Sequence, residues 1–325
     1  MKKTGIRMLA VLLALTAFVF TGCGNKVKEG IQVGAMKGPT TIGLLSLMKE
    51  AEEGNTKNQY EVTMAVGADE LMPLLIKGDI DIALLPANVA AVVYNKTEGG
   101  ICVLDINTLG VLYMVTGNTQ VDSMEDLKGK TIYLTGKGTT PDYVLSYLLE
   151  ANGIGSEEVT KEYRSEPTEV AALLAENPDA VGLLPQPFMT AALMQNESLF
   201  VCLSLTEEWE RIQGEDGSSF VTGVTVVTKA FLEENKKAVD LFLEDHKKST
   251  EFANEMVVDT AALCVEHGII AKEAIAQKAI PACNIVCITG EEMKMALEGY
   301  LQVLFKADPK AVGGQLPGED FYYIK

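Results

Sequence analysis

The chain has little with which to do acid–base or metal chemistry. It holds two histidines, His246 and His267, and each lies in a polar helical stretch. Cys283 and Cys287 are spaced Cys-x3-Cys with no histidine nearby, a poor zinc spacing, so no metal cluster is spelled. Basic residues are also scarce, 27 Lys and Arg against 45 Asp and Glu. A chain this acidic lacks the positive surface that nucleic-acid phosphates require. Past Phe20 no apolar run is long enough to span a bilayer, which takes roughly 20 apolar residues. Apart from Cys23 the cysteines are odd in number: Cys102, Cys202, Cys264, Cys283 and Cys287. A complete disulfide framework is excluded, because at least one thiol stays unpaired. Cys102 and Cys202 lie in apolar runs and read as core. Cys283 and Cys287 either pair across a loop or stay free.

The one long apolar run is at the front. Lys2, Lys3 and Arg7 precede Met8 to Phe20, and Thr21-Gly22-Cys23 follows. A basic start, a short apolar centre and small residues at a cut site make a secretory signal rather than a fold element. The cysteine after Thr-Gly resembles a bacterial lipobox, with Phe20 where Leu is more usual. That resemblance implies cleavage after residue 22, lipidation of the Cys23 sulfur and a tether over 23–30. The alternatives are a plain signal peptide or a retained single-span anchor. Loss of residues 1–22 removes three basic residues and no acidic one, leaving 24 against 45. Those acids read as a solvated surface.

What remains is written twice. Lys37-Gly38-Pro39-Thr40-Thr41 returns a hundred residues later as Lys137-Gly138-Thr139-Thr140-Pro141. Leu84-Leu85-Pro86-Ala87-Asn88 returns as Leu183-Leu184-Pro185-Gln186-Pro187. A period this long is no solenoid, whose repeats run roughly 20 to 50 residues. It predicts two similar lobes. In each copy a strand, a helix, a strand, a short helix, a strand and a helix follow one another: strands over 31–36, 60–66 and 80–85, then over 131–135, 159–163 and 180–184. Strands alternating with helices predict parallel sheets with helices on their faces. Ligands of such sheets sit beyond the carboxyl ends of the strands, where helix starts offer free N–H groups. The repeated segments occupy that edge in both copies, which places a small-molecule site between the lobes.

The second lobe reads as an insertion in the first. Lobe 1 is predicted over 31–115 plus 222–325, and lobe 2 over 116–221. Two crossings make a hinge. Ser123 to Asp126 and Thr289 to Glu292 read as capping boxes. The stretch 230–306 reads as mainly helical, and the tail 307–325 as packing along lobe 1.

With these parts assembled, the chain resembles the solute-binding lipoproteins of ABC importers, and within them the nitrate, sulfonate and thiamine-precursor binding group. The matching pieces are the lipobox, Gly78-Asp79-Ile80-Asp81-Ile82-Ala83 leading to Leu85-Pro86-Ala87-Asn88, Leu127-Lys128-Gly129-Lys130-Thr131-Ile132, and Gly138-Thr139-Thr140-Pro141. The resemblance implies an α/β, two-lobe type 2 periplasmic-binding-protein fold, each lobe a mainly parallel sheet flanked by helices. It implies one wall of Lys37, Gly38, Thr40, Thr41 and Asn88, facing another of Lys137, Thr139, Thr140 and Gln186. Lys37 and Lys137 either pair with an anion or point to solvent. Tyr113, Phe188 and Phe220 either stack on a ligand ring or pack in the core. The nitrate binders offer His or Trp in the pocket, whereas Trp209 lies here in an acidic helical stretch, so a simple inorganic anion is disfavoured. The implied function is capture of a small anionic or carbonyl-bearing solute for a permease and its ATPase, by a monomer lipid-anchored outside the cytoplasmic membrane. No enzyme activity, cofactor or metal is expected. Two alternatives stay open: an enzyme like those of the menaquinone pathway, with Asp142 or Glu70 in the cleft, and a sensor or receptor lipoprotein.

Overall fold

The computed structural model describes residues 30–214 and 217–325. The predicted signal segment, Cys23 and all of the tether but Gly30 lie outside the described residues. The first strands and helices are β1 (Ile31–Met36), α1 (Pro39–Ile42), α2 (Leu45–Glu52), β2 (Tyr60–Ala65), α3 (Ala68–Lys77), β3 (Ile82–Pro86), α4 (Ala87–Lys96) and β4 (Ile101–Leu109). The middle of the chain gives β5 (Leu112–Thr116), β6 (Thr131–Leu134), α5 (Thr140–Ala151), β7 (Thr160–Tyr163), α6 (Pro167–Glu176), β8 (Val181–Pro185), α7 (Phe188–Gln195), β9 (Phe200–Ser204) and α8 (Leu205–Gln213). The rest is β10 (Val221–Thr228), α9 (Lys229–Glu255), α10 (Val257–Glu266), α11 (Glu273–Ala279), β11 (Ile285–Ile288) and α12 (Gly290–Ala307).

These strands form two sheets, ordered β11-β4-β10-β3-β1-β2 and β7-β6-β8-β5-β9. The repeat in sequence is thus a repeat in topology. β1 lies parallel between β2 and β3, as β6 lies between β7 and β8. In each sheet the next strand runs antiparallel, β10 against β3 and β5 against β8. That reversed strand is the one arriving from the other lobe. The sheets are therefore mixed rather than purely parallel.

Local chemistry explains the element ends. Gly78, in the left-handed region (φ 75°), closes α3, and Asn152 followed by Gly153 (φ 71°) closes α5. Ser123 and Asp126 form the predicted capping box of a short 3-10 turn. Thr289 is the N-cap of α12, but its side chain makes no capping bond, so that second box is not formed. Sequence reasoning missed β4, β9 and β11. β4 is buried along almost its whole length, so it shows no alternation. β11 is a four-residue strand inside a helical stretch.

The sheets exchange the chain at Gly110-Val111. β5 pairs with β8 and β9, so the change falls before Leu112 and not between residues 115 and 116. The crossing is tight. A Cβ on Gly110 would lie 2.3 Å from both Phe220 Cδ1 and Thr206 Oγ1. Phe220, the residue before β10, belongs to a buried aromatic group with Trp209 of α8 and Tyr300 of α12. It is core, not a ring platform for a ligand. The tail packs on lobe 1, where Phe321 meets Tyr94 edge-on and the Tyr323 N–H donates to the Val103 carbonyl (2.9 Å).

The crossing yields the first prediction. Gly110→Ala should cost about 1–3 kcal/mol through overpacking, seen as a lower urea midpoint. Gly38→Ala, whose Cβ would meet nothing within 4 Å, should leave the midpoint unchanged.

Candidate functional site

β4 runs through Gly110 into β5, so the edges of the two sheets face each other across that crossing. On the first sheet this edge carries the ends of β1, β3 and β4 and the starts of β10 and β11. On the second it carries the ends of β6, β7, β8 and β9 and the start of β5. The repeated motifs sit here, as the topology requires.

On the first-lobe side, the Thr41 hydroxyl donates to the Met36 carbonyl (2.5 Å) and folds the turn back onto β1. Thr41 is therefore a structural bond of the turn. Thr40 reaches the opposite way: a Cβ on Gly223 would fall 2.4 Å from Thr40 Cγ2 and 2.5 Å from Asn107 Oδ1. Thr40 and Asn107 thus meet over a bare stretch of β10. Asn107 is 2% exposed, and its Oδ1 has no hydrogen-bond partner among the described residues. The hydroxyls of Thr108 on β4 and Thr222 on β10 are also buried without partners among the described residues. Lys37 is exposed, with its ammonium near Gly268. Asn88 donates through Nδ2 to the Ala311 carbonyl (3.4 Å), which ties it to the C-terminal segment rather than to Thr40. Gly38 caps α1 with an extended backbone, but a four-residue helix has almost no dipole.

On the second-lobe side, Gln186 is buried at 2% exposure. Its N–H donates to the Val111 carbonyl (2.9 Å), and its Oε1 accepts from the Thr190 hydroxyl (2.9 Å). Its Nε2 has no partner among the described residues. Buried amide groups of this kind are nearly always hydrogen-bonded in native proteins. Thr139 is exposed and bonds its own turn through the Gly136 carbonyl (2.6 Å), and Thr140 bonds with the Tyr300 hydroxyl. Lys137 lies 5.3 Å from the ring centre of Tyr163, and Arg164 5.2 Å from that of Tyr133. Two cations, each on an aromatic face, therefore stand at this edge. Of the predicted wall residues, Thr40 and Gln186 carry the strongest claim. Sequence reasoning passed over Asn107, Thr222, Tyr133 and Arg164. None of these belongs to the duplicated motifs, and β4 and β10 were not paired in the reading.

The lobes also touch. The Tyr113 hydroxyl, on β5, donates to the Ala282 carbonyl of lobe 1 (2.8 Å). Asn284, at the start of β11, donates through Nδ2 to the Gly110 carbonyl (2.5 Å) and accepts from the Leu109 N–H (3.0 Å).

The acid–base candidates are otherwise engaged. Asp142 Oδ1 accepts from Lys161 (2.5 Å) and the Tyr163 hydroxyl (2.8 Å), and Oδ2 accepts from the Gly138 N–H (2.9 Å). Burial alone raises its pKa, but these bonds together outweigh that and hold it below the ordinary 3.8. Glu70 accepts from the Val66 N–H at the start of α3 (3.3 Å). The five described cysteines are free, and burial pushes the thiols of Cys202 and Cys264 up to about 11 and 12. Neither is a nucleophile at neutral pH.

His246 corrects the sequence reading. It is fully buried rather than on a polar surface, with Nδ1 at 3.1 Å from Asp105 Oδ2 and Nε2 without a partner among the described residues. Asp105 Oδ1 accepts from the Thr225 hydroxyl (2.9 Å), which in turn accepts from Asn107 Nδ2 (3.2 Å). A polar path runs inward from the site edge to this pair.

Residues 101–256, from β4 through α9, match the model of the family described as NMT1/THI5 like. The solved structure of an ABC transporter from Parabacteroides distasonis is 26% identical, with a TM-score of 0.77 over 92% of this chain and 100% of that one. The periplasmic aliphatic sulphonate binding protein SsuA from Escherichia coli is 14% identical, with a TM-score of 0.70 over 90% of this chain and 95% of that one. The alkanesulfonate-binding protein SsuA from Xanthomonas axonopodis pv. citri, bound to MOPS, is 13% identical, with a TM-score of 0.60 over 89% and 94%. No curated protein sequence matches the chain. The fold is the two-lobe α/β type 2 periplasmic-binding-protein fold, and the chain is similar to the group its motifs suggested. Among the described residues no helix is long and apolar enough to cross a membrane.

Asp142 supports a pH prediction. Its lowered pKa means that it stabilises the fold above the ordinary carboxylate value, and that this contribution fades as pH falls through the lowered one. Asp142→Asn should therefore lower the urea midpoint at neutral pH, and the gap from the parent should close as pH falls below the ordinary carboxylate value and through the lowered one.

Proposed function

We propose that the chain is the extracytoplasmic solute-binding lipoprotein of an ABC importer. It holds a small organic solute between the two sheet edges and passes it to a permease. What carries this reading is the set of buried polar atoms without partners among the described residues on both sides of the crossing: Gln186 Nε2 on lobe 2, and Asn107 Oδ1 with the Thr108 and Thr222 hydroxyls on lobe 1. Leaving such groups unmade costs about 1–3 kcal/mol each, and a bound solute relieves that cost. The donors, Gln186 and the threonines, suit a carbonyl, carboxylate or sulfonate oxygen. Asn107 Oδ1 suits an N–H or O–H of the same molecule. Lys137 and Arg164 favour a negative solute, and the half-buried rings of Tyr113, Tyr133 and Phe188 suit a partly apolar body. Cys23 is the lipid attachment point that holds this receptor beside its permease.

Native mass spectrometry and thermal shift test the reading directly, with alkanesulfonates, pyrimidine vitamin precursors and amino acids as probes. One class should raise the unfolding temperature, and no stabilisation by any of them contradicts the proposal. For the solute that binds, Gln186→Ala should weaken affinity about threefold to tenfold. Cys23→Ser should move the chain from the membrane fraction to the soluble one.

A further inference from the structure

Away from the solute edge, three side chains from three separate elements converge inside lobe 1. Asp105 comes from β4, His246 from α9 and Cys287 from β11. Asp105 and His246 are fully buried and Cys287 is half-buried. One carboxylate oxygen, one ring nitrogen and the sulfur all lie within 4.8 Å of one another. The Oδ2–Nδ1 separation is 3.1 Å.

A tetrahedral ion with bonds of about 2.0 Å to nitrogen and oxygen and about 2.3 Å to sulfur sets its donors roughly 3.3–3.5 Å apart. The Asp105–His246 edge is already near that length, and the sulfur, within 4.8 Å of both, needs to close by at most about 1.5 Å. A mixed sulfur, nitrogen and oxygen set suits zinc and its neighbours and does not suit magnesium or calcium, which take oxygen alone. The second carboxylate oxygen is fixed by the Thr225 hydroxyl (2.9 Å), as carboxylate ligands of metals usually are.

The strand that supplies the sulfur is weakly tied. β11 pairs with β4 only at Ile285 with Thr108 and Ile288 with Ile106, with an irregularity between them. Yet the residue at its head, Asn284, clamps the Gly110 carbonyl of the crossing. An ion shared by β4, α9 and β11 would fasten that clamp.

We propose that Asp105, His246 and Cys287 bind one zinc-class divalent cation, which staples β11 to the sheet behind the hinge.

The test strips the purified chain with a chelator and titrates it with cobalt(II), then with zinc in competition. One equivalent of cobalt should give a thiolate-to-metal charge-transfer band, which zinc then abolishes, and zinc should raise the unfolding temperature. Cys287→Ser should lose the band, whereas Cys264→Ser should keep it. His246→Gln should lose tight binding; should that variant fail to fold, Cys287→Ser decides alone, with circular dichroism confirming its fold. Absence of a charge-transfer band in the parent, or its persistence in Cys287→Ser, overturns the proposal.

Discussion

The molecule depends on one close approach, at Gly110. There β4 leaves one sheet and becomes β5 of the other, and there is no room for a side chain between Phe220 and Thr206. The crossing is held on both sides: Asn284 clamps the Gly110 carbonyl, and the Gln186 N–H takes the Val111 carbonyl. Because the chain passes from β4 to β5 through Gly110-Val111 alone, two similar sheets are joined directly at this crossing. The duplication then gains a purpose. Each copy brings its strand ends and helix starts to the same place, and the antiparallel strand in each sheet arrives from the other lobe. Moving one lobe therefore moves a strand of both.

In the proposed function, the polar atoms at the edge matter more than Lys37 and Lys137. A lysine at a loop tip is well solvated and loses little by facing water. A buried amide or hydroxyl has no such outlet. On the proposed reading, Thr40, Asn107, Thr222 and Gln186, held by packed strands and turns, have their positions set before a solute arrives. Preorganisation of this kind limits the ordering cost of binding. The cations at Lys137 and Arg164, each over an aromatic ring, add charge at the rim.

Much of the fold was legible because the two copies check each other. The turn at Gly38 is ambiguous alone and convincing beside Gly138. The strands 31–36 and 131–134 and the helices ending at Gly78 and Gly153 follow from alternation, caps and breakers. What escaped the reading was non-local. β4 is buried on both faces and carries no period, so nothing in the sequence singles out Asp105 and Asn107. His246 sits 141 residues from Asp105. Nothing in its charged helix shows that it turns inward, since the helix pattern leaves the pairing strand unnamed. The same holds for Cys287, which gains its neighbours only once β11 is laid on β4. The repeated motifs lie at the ends of the strands, but the sequence does not give the orientation of each side chain. Thr41, Thr139 and Asn88 are spent on their own backbone or on the tail.

A crystal structure of the chain with its bound solute tests the central claim most directly. The account predicts one solute held from both sides, with Gln186 Nε2 on one flank and Asn107 or the Thr222 hydroxyl on the other. A solute seated on one lobe alone, or outside the facing edges with those atoms still unpartnered, would contradict it.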